Sequence, residues 1–284
     1  MTEILVCSGV KKSFDGKTEV LKGVDLAVRK GDFISILGAS GSGKSTLLTI
    51  LGGMDAPTEG KVLFEGKALS ELKEKDLAKL RRTKVGFVFQ FFNLAPYLTV
   101  EENIFLPIVL DGKSPSKYRE KFTFLTDYLK ITPLIKKMPS ELSGGEQQRT
   151  AIARALIYEP DIIFLDEPTG NLDSGSAEDI MKLLRSINKD TSTTILQVTH
   201  SEQNALCGNR LIRIKDGLIV SEEIIEENIA EDQTLESEEA KAVTDSDEAV
   251  TEKGEENIDK EDKISACEDK EDVCAEEENT REGK

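Results

Sequence analysis

Gly38-Ala39-Ser40-Gly41-Ser42-Gly43-Lys44-Ser45-Thr46 is the stretch on which the fold turns. Asp32-Phe33-Ile34-Ser35-Ile36-Leu37 precedes it, a short apolar run that reads as a buried strand. Leu47-Leu48-Thr49-Ile50-Leu51 follows and stops at Gly52-Gly53, as a helix does. Strand, glycine loop and helix in this order are the context that the G-x-x-x-x-G-K-[ST] pattern needs in order to hold nucleotide phosphates. Glycines let backbone N–H groups approach phosphate oxygens with no Cβ in the way. The helix start adds unpaired N–H groups and about half a positive charge. Lys44 supplies a mobile cation for the β- and γ-phosphates, and Ser45 a hydroxyl for Mg²⁺.

Outward from this loop, charge divides the chain. Of its 284 residues, residues 222–284 hold 26 acidic and 7 basic ones, a net −19 against −17 for the whole, which leaves +2 on residues 1–221. The last segment lacks Phe, Tyr and Trp, and its aliphatic residues are scattered. It cannot bury enough apolar surface to offset chain ordering and is expected to be disordered. Its role stays open between regulation, partner binding and simple solubilisation. The expected domains are therefore a nucleotide-binding body, 1–221, and an acidic tail, 222–284. Met1-Thr2-Glu3 has no basic start of a secretory leader. Apolar runs such as 104–110 fall far below the ~20 residues that cross a bilayer. Cys7, Cys207, Cys267 and Cys274 form no C-x-x-C pair and read as free thiols of a reducing cytosol.

Within the body, Val24, Leu26 and Val28 alternate between Gly23 and Gly31, as strand residues do. Residues 62–64 and 85–89 read as strands, 70–82 as a charged helix. Residues 95–158 read as a helical insert: helices over 99–110, opened by the capping box Thr99-Val100-Glu101-Glu102, over 115–130, and from Ser143 to Tyr158. Asp161-Ile162-Ile163-Phe164-Leu165-Asp166-Glu167 is a buried strand ending in two carboxylates. Residues 176–188 are helical by spacing, and 193–199 form a strand ending at His200. Leu211-Ile212-Arg213-Ile214 and Leu218-Ile219-Val220 flank Asp216-Gly217 as a hairpin. Strands alternating with helices predict an α/β fold with a mainly parallel sheet, an antiparallel β edge and the helical insert.

Parallel α/β sheets place their sites at the carboxyl ends of strands. The phosphate loop, Gln90, Asp166-Glu167 and His200 each follow such a strand. Asp166 suits a hard cation. Glu167 is the candidate base for an attacking water, and Gln90 can reach the metal or that water through its amide oxygen. His200, the chain's single histidine, can contact the γ-phosphate and Glu167. Phe14 is either a lid on the core or a stacking surface for a purine. Ser143-Gly144-Gly145 at a helix start is a second anion site. One nucleotide does not need two, so the second is expected from another copy, in a head-to-tail dimer with two shared sites.

These motifs together make the chain resemble the ATP-binding subunits of ABC transporters over about residues 2–221. Residues 38–46 match Walker A. Leu142-Ser143-Gly144-Gly145-Glu146-Gln147-Gln148-Arg149 matches the family signature, and 162–168 match Walker B with Glu167 as catalytic carboxylate. Gln90 matches the Q-loop, Gly170-Asn171-Leu172-Asp173 the D-loop and His200 the H-loop. Phe14 stands at the A-loop, where the family often has Tyr.

The resemblance implies a P-loop NTPase core that hydrolyses ATP with Mg²⁺, the metal held by Ser45, Gln90 and Asp166. It implies nucleotide contacts from Phe14, from Gly38, Ala39, Ser40, Gly41, Ser42, Gly43, Lys44, Ser45 and Thr46, and from Ser143, Gly144, Gly145 and Asp173. The subunit dimerises on ATP and drives an integral membrane permease from the cytoplasmic face of the membrane. Residues 38–47 and 166–173 look most like the branch for lipoprotein release, macrolide and antimicrobial-peptide export, and cell division. The implied cargo is a peptide, drug or lipid-like molecule. The alternative is a mechanotransmission ATPase that moves no solute and acts on a cell-division or sensory partner. Gln90-Phe91-Phe92-Asn93-Leu94-Ala95-Pro96-Tyr97-Leu98-Thr99 fits this branch and in the family docks a coupling helix of the permease. Nucleic acid is not expected as a partner. Only 52 residues separate Gln90 from Ser143, with no sustained heptads for a coiled-coil arm, and the body lacks a basic stripe.

Overall fold

A computed structural model describes residues 2–225. The chain begins with two long strands, β1 (Glu3–Ser13) and β2 (Glu19–Arg29), then enters the buried β3 (Phe33–Leu37) and, after the glycine loop, α1 (Lys44–Leu51). β4 (Glu59–Phe64), β5 (Lys67–Ala68), α2 (Glu74–Thr83) and β6 (Val85–Val88) follow. The insert contains α3 (Val100–Leu110), α4 (Arg119–Tyr128) and α5 (Gly144–Leu156). β7 (Ile162–Asp166), α6 (Ser174–Thr191), β8 (Thr194–Thr199), the short α7 (Glu202–Ala205), β9 (Arg210–Lys215) and β10 (Leu218–Ile224) complete it.

The main sheet has the order β10-β9-β3-β8-β7-β6. Only the β10–β9 pair is antiparallel; β3 pairs in parallel with β9 and β8, and β7 with β8 and β6. The register matches Leu37 to Thr199, Asp166 to Val198 and Val88 to Leu165. The carboxyl ends of four adjacent strands therefore finish at one edge, which is where the loop, Gln90, Asp166-Glu167 and His200 begin. The first strands do more than edge this sheet. β2-β1-β4-β5 form an antiparallel sheet of their own.

Two cores explain the continuous apolar runs. Ile34, Ile36, Ile162, Phe164, Leu196 and Val198 pack with α1 and the antiparallel sheet, while Phe33, Ile163, Leu165 and Ile195 pack with α3, α5 and α6. A strand covered on both faces has no polar side to show. For the same reason α1, set between two sheets, buries Leu47, Leu48, Ile50 and Leu51.

Several boundaries differ from expectation. The charged helix starts at Glu74, because Leu69–Glu71 form a 3₁₀ turn with Leu69 in the core. The second insert helix splits into a 3₁₀ turn, Pro115–Tyr118, and α4, where proline opens a turn readily. α5 stops at Leu156, short of Tyr158. β10 continues past 221: Glu222 and Glu223 pair with Arg210 and Arg213, and Ile225 packs on Leu37, Ala205 and Leu211. The rest of the acidic tail, with Cys267 and Cys274, lies outside the described residues. Among the described residues no helix is long and apolar enough to cross a membrane. Cys7 and Cys207 are free thiols, and burial pushes Cys7 up to about 12, so it stays neutral.

Candidate active site

The loop leaving β3 is shaped by positions that admit no side chain. A Cβ on Gly38 would lie 2.5 Å from the Ile214 carbonyl oxygen. Gly43 holds φ 98°, and a Cβ there would meet Leu21 Cδ2 at 2.9 Å. Gly43 is also the N-cap of α1 and offers no side chain to the first-turn N–H groups. Ser42 Oγ is buried with no hydrogen-bond partner. Lys44, itself buried, donates from Nζ to the Gly38 and Ala39 carbonyls at 2.8 and 3.0 Å and lies 4.0 Å from Glu167 Oε1. Uncapped N–H groups, an orphaned hydroxyl and a cation folded under the loop form a concave donor surface that fits phosphate.

The neighbouring strand ends add acid and base. Ser45 Oγ donates to Asp166 Oδ1 at 2.8 Å. Burial holds Asp166 above the usual carboxylate range. The Ser45 hydrogen bond offsets part of this, and the charge of Glu167 adds to it. Glu167 adopts φ 49°, its N–H donating to Val198 O at 3.0 Å and its carbonyl accepting from Gly170 N at 3.0 Å. Non-glycine residues in this region store about 1–3 kcal/mol of strain. Here the strained backbone turns the side chain to His200, whose Nδ1 lies 2.9 Å from Glu167 Oε2.

Gln90, two residues beyond β6, is held by its backbone. Its carbonyl accepts from Asn171 Nδ2 at 2.7 Å, and a Cβ on Gly170 would touch its amide nitrogen at 2.9 Å. Phe92 and Asn93 then take φ 61° and 47°. Arg154 of α5 fixes them, donating to their carbonyls at 2.9 and 2.6 Å from a guanidinium whose burial lowers its pKa.

Residues of the phosphate loop, Lys44 and Ser45 among them, line a cleft of about 680 Å³ with Phe14, Val20, Gln90, Glu167 and His200; Asp166 does not line it and reaches it through Ser45. Phe14 is 69% exposed, so it is no lid on the core; it borders the cleft. Ser143-Gly144-Gly145 and Asp173 do not line it. Ser143 caps α5, accepting from Glu146 N at 3.3 Å, while Glu146 Oε2 accepts from Ser143 N at 2.7 Å. Asp173 caps α6 and accepts from Ser176 N and Oγ at 3.0 and 2.7 Å. The two caps are neighbours: a Cβ on Gly144 would meet Leu172 Cδ2 at 3.1 Å.

With this geometry in place, the comparison with known families is decisive: the family described as ABC transporter matches residues 21–170. The chain belongs to the ABC transporter family. It is 50% identical over 222 residues to the lipoprotein-releasing system ATP-binding protein LolD of Aquifex aeolicus, covering 78% of this chain and 98% of that one. It is 47% identical to the bacitracin export ATP-binding protein BceA of Halalkalibacterium halodurans, covering 77% and 88%. The macrolide export ATP-binding/permease protein MacB of Bdellovibrio bacteriovorus is 46% identical over 76% of this chain, which spans 33% of that protein. Among solved structures, a dimeric ATP-binding cassette in a post-hydrolysis state with ADP and Pi superposes with a TM-score of 0.72 at 41% identity, covering 78% of this chain and 99% of that one.

As an ABC cassette the chain is an ATPase, and cassettes of this family work as dimers with membrane permeases. Arg154 carries site structure that sequence reasoning passed over, and Asn171, quoted only within the D-loop match, carries a tie to Gln90 that it did not foresee. Arg154 had a signal, a lone cation within the apolar run Ala151-Ile152-Ala153-Arg154-Ala155-Leu156. The Asn171 bond to Gln90 had none beyond the motif, since the two residues are distant in sequence.

Proposed function

We propose that this ABC ATPase closes as a head-to-tail dimer on ATP and Mg²⁺ and drives a separate membrane permease that exports a peptide, drug or lipid-like substrate. One observation carries the reading: four adjacent strand ends bring Lys44, Ser45, Gln90, Asp166, Glu167 and His200 to one edge, while Ser143, Gly144, Gly145 and Asp173 cluster outside that cleft. In this reading the phosphate loop, residues 38–46, binds the triphosphate and Phe14 stacks on the base. Ser45, Asp166 and Gln90 would hold Mg²⁺, an all-oxygen set that fits a hard cation whose remaining ligands are phosphate and water. Bound there, the metal neutralises phosphate charge. Glu167 orients the attacking water and takes its proton. His200 holds the Glu167 carboxylate in place and faces the γ-phosphate. Positioning and charge do the catalysis, with no covalent intermediate on the protein.

A separate permease is supported by the relatives LolD and BceA, which are named as ATP-binding proteins alone. Phe91, next to Gln90, and Tyr97, seven residues beyond it, are 73% and 89% exposed and are suited to dock it from the cytoplasmic face. The names of the relatives, which specify lipoprotein release, bacitracin export and macrolide export, support the substrate class. The test is Glu167→Gln. It should retain ATP binding, accumulate an ATP-bound dimer on size exclusion and lower phosphate release about 100-fold or more. Wild-type turnover by this variant removes Glu167 from its role.

A further inference from the structure

We infer that Lys12 is a positioning residue for recognition of the nucleotide base, bracing Phe14 from the face opposite the cleft and tying it to the helix of the phosphate loop. The inference rests on the reading of Phe14 as the base platform. Lys12 lies on β1, with its side chain only 12% exposed. Its Nζ donates to Asp55 Oδ1 at 2.8 Å and to the Ala56 carbonyl at 2.8 Å, and it stands 5.0 Å from the centroid of the Phe14 ring. The ammonium stands over one face of the Phe14 ring, and since Phe14 borders the cleft and Lys12 does not, the other face is the one left for a base.

Asp55 and Ala56 belong to the turn that ends α1. Met54 N and Asp55 N both donate to Thr49 O of that helix, at 2.8 and 3.3 Å. The same turn region holds β1 once more, through Ser13 N donating to Thr58 Oγ1 at 3.0 Å. One ammonium thus links the aromatic platform to the far end of the helix whose near end carries Lys44 and Ser45. Base platform and phosphate loop are held at a set spacing, which is what a ligand with a base at one end and phosphates at the other requires.

The cation also changes the ring. Two stacked π-systems meet with like-signed faces. A positive charge over the back of Phe14 draws electron density away from its front and relieves that repulsion. A tyrosine hydroxyl is not needed for such stacking, so a brace of this kind suits a phenylalanine platform.

The test measures the dissociation constants of ATP and of inorganic tripolyphosphate by calorimetry on the full chain. Lys12→Met keeps the stem and removes the charge. It should weaken ATP about 2- to 5-fold, the scale of one exposed cation–π contact, and leave tripolyphosphate unchanged. Lys12→Arg should restore ATP binding. Asp55→Asn, which loosens one of the ammonium's two ties without touching β1, should act in the same direction as Lys12→Met but more weakly. In a Phe14→Ala background Lys12→Met should add nothing. The proposal is overturned if both ligands weaken equally, since Lys12 then acts on the loop as a whole. It is also overturned if the Lys12→Met effect persists without the Phe14 ring. If Phe14→Ala itself leaves ATP binding intact, the base-platform reading fails first and the brace falls with it.

Discussion

Asp166 and Glu167 are adjacent carboxylates held in opposite ways. Asp166 ends β7, half-buried, its oxygen tied to Ser45 and its pKa raised chiefly by burial. Glu167 lies one residue past the strand, in left-handed backbone, and is turned to His200. The sign of the Asp166 shift decides a prediction. A carboxyl whose folded pKa is raised contributes stability below its unfolded pKa, and that contribution is lost as pH rises through the folded value. At neutral pH the ionised Asp166 is therefore a cost to the nucleotide-free fold. Asp166→Asn should raise the nucleotide-free melting temperature at pH 7, shrink that gain toward pH 4 and, on the proposed metal role, lower hydrolysis about 100-fold or more by exchanging a charged oxygen ligand for a neutral amide. Calorimetric scans at both pH values with a phosphate-release assay check it. A lower melting temperature at pH 7 counts against a desolvated Asp166.

At the scale of elements, the sequence announced what repeats locally and hid what depends on distant packing. The LLTIL run after Lys44, the alternation before Gly31 and the capping box at Thr99 each have a local physical cause, and each element formed where that cause lies. The break at residues 69–73 and the backbone of Glu167 have no local cause. Leu69 is drawn into a core made by other strands, and Glu167 is turned by a hydrogen bond to Val198 on β8. Gly52 belongs to the hidden class. It reads as a helix stop, yet its φ of −81° is open to any residue. What demands glycine is the Phe87 ring of β6, whose Cζ would lie 2.0 Å from a Cβ there. That ring cannot swing aside easily, stacked 5.2 Å from Phe164 and 5.7 Å from Phe89. Gly52→Ala should therefore cost about 1–3 kcal/mol by overpacking, read as a lower urea midpoint. Phe87→Leu in the same chain should recover part of it.

For the whole molecule, the cleft could be anticipated because parallel strands deliver their loops to one edge, and the motifs follow those strands. Ser143 was expected apart from that cleft, since one nucleotide does not need two anion sites, but nothing local announced that the Asp173 cap would lie beside it, and helix caps with these sequences serve equally well in isolation. Both are satisfied within the chain, Ser143 by Glu146 and Asp173 by Ser176, and neither borders the cleft. The proposed head-to-tail dimer would give them a second use over the partner's nucleotide, and mixing two defective chains tests this directly. Lys44→Ala breaks the phosphate loop, and Ser143→Arg blocks the signature loop. Each homodimer then has two broken sites and should be nearly inactive. A mixed dimer concentrates both defects in one site and leaves the other with Lys44 from one copy and Ser143 from the other. Random pairing makes about half of the dimers mixed, so activity should recover to at most about a quarter of the wild-type rate if the sites fire independently. A site built within one chain predicts no recovery at any mixing ratio. Recovery that rises with the product of the two chain concentrations is the signature of sites shared between copies.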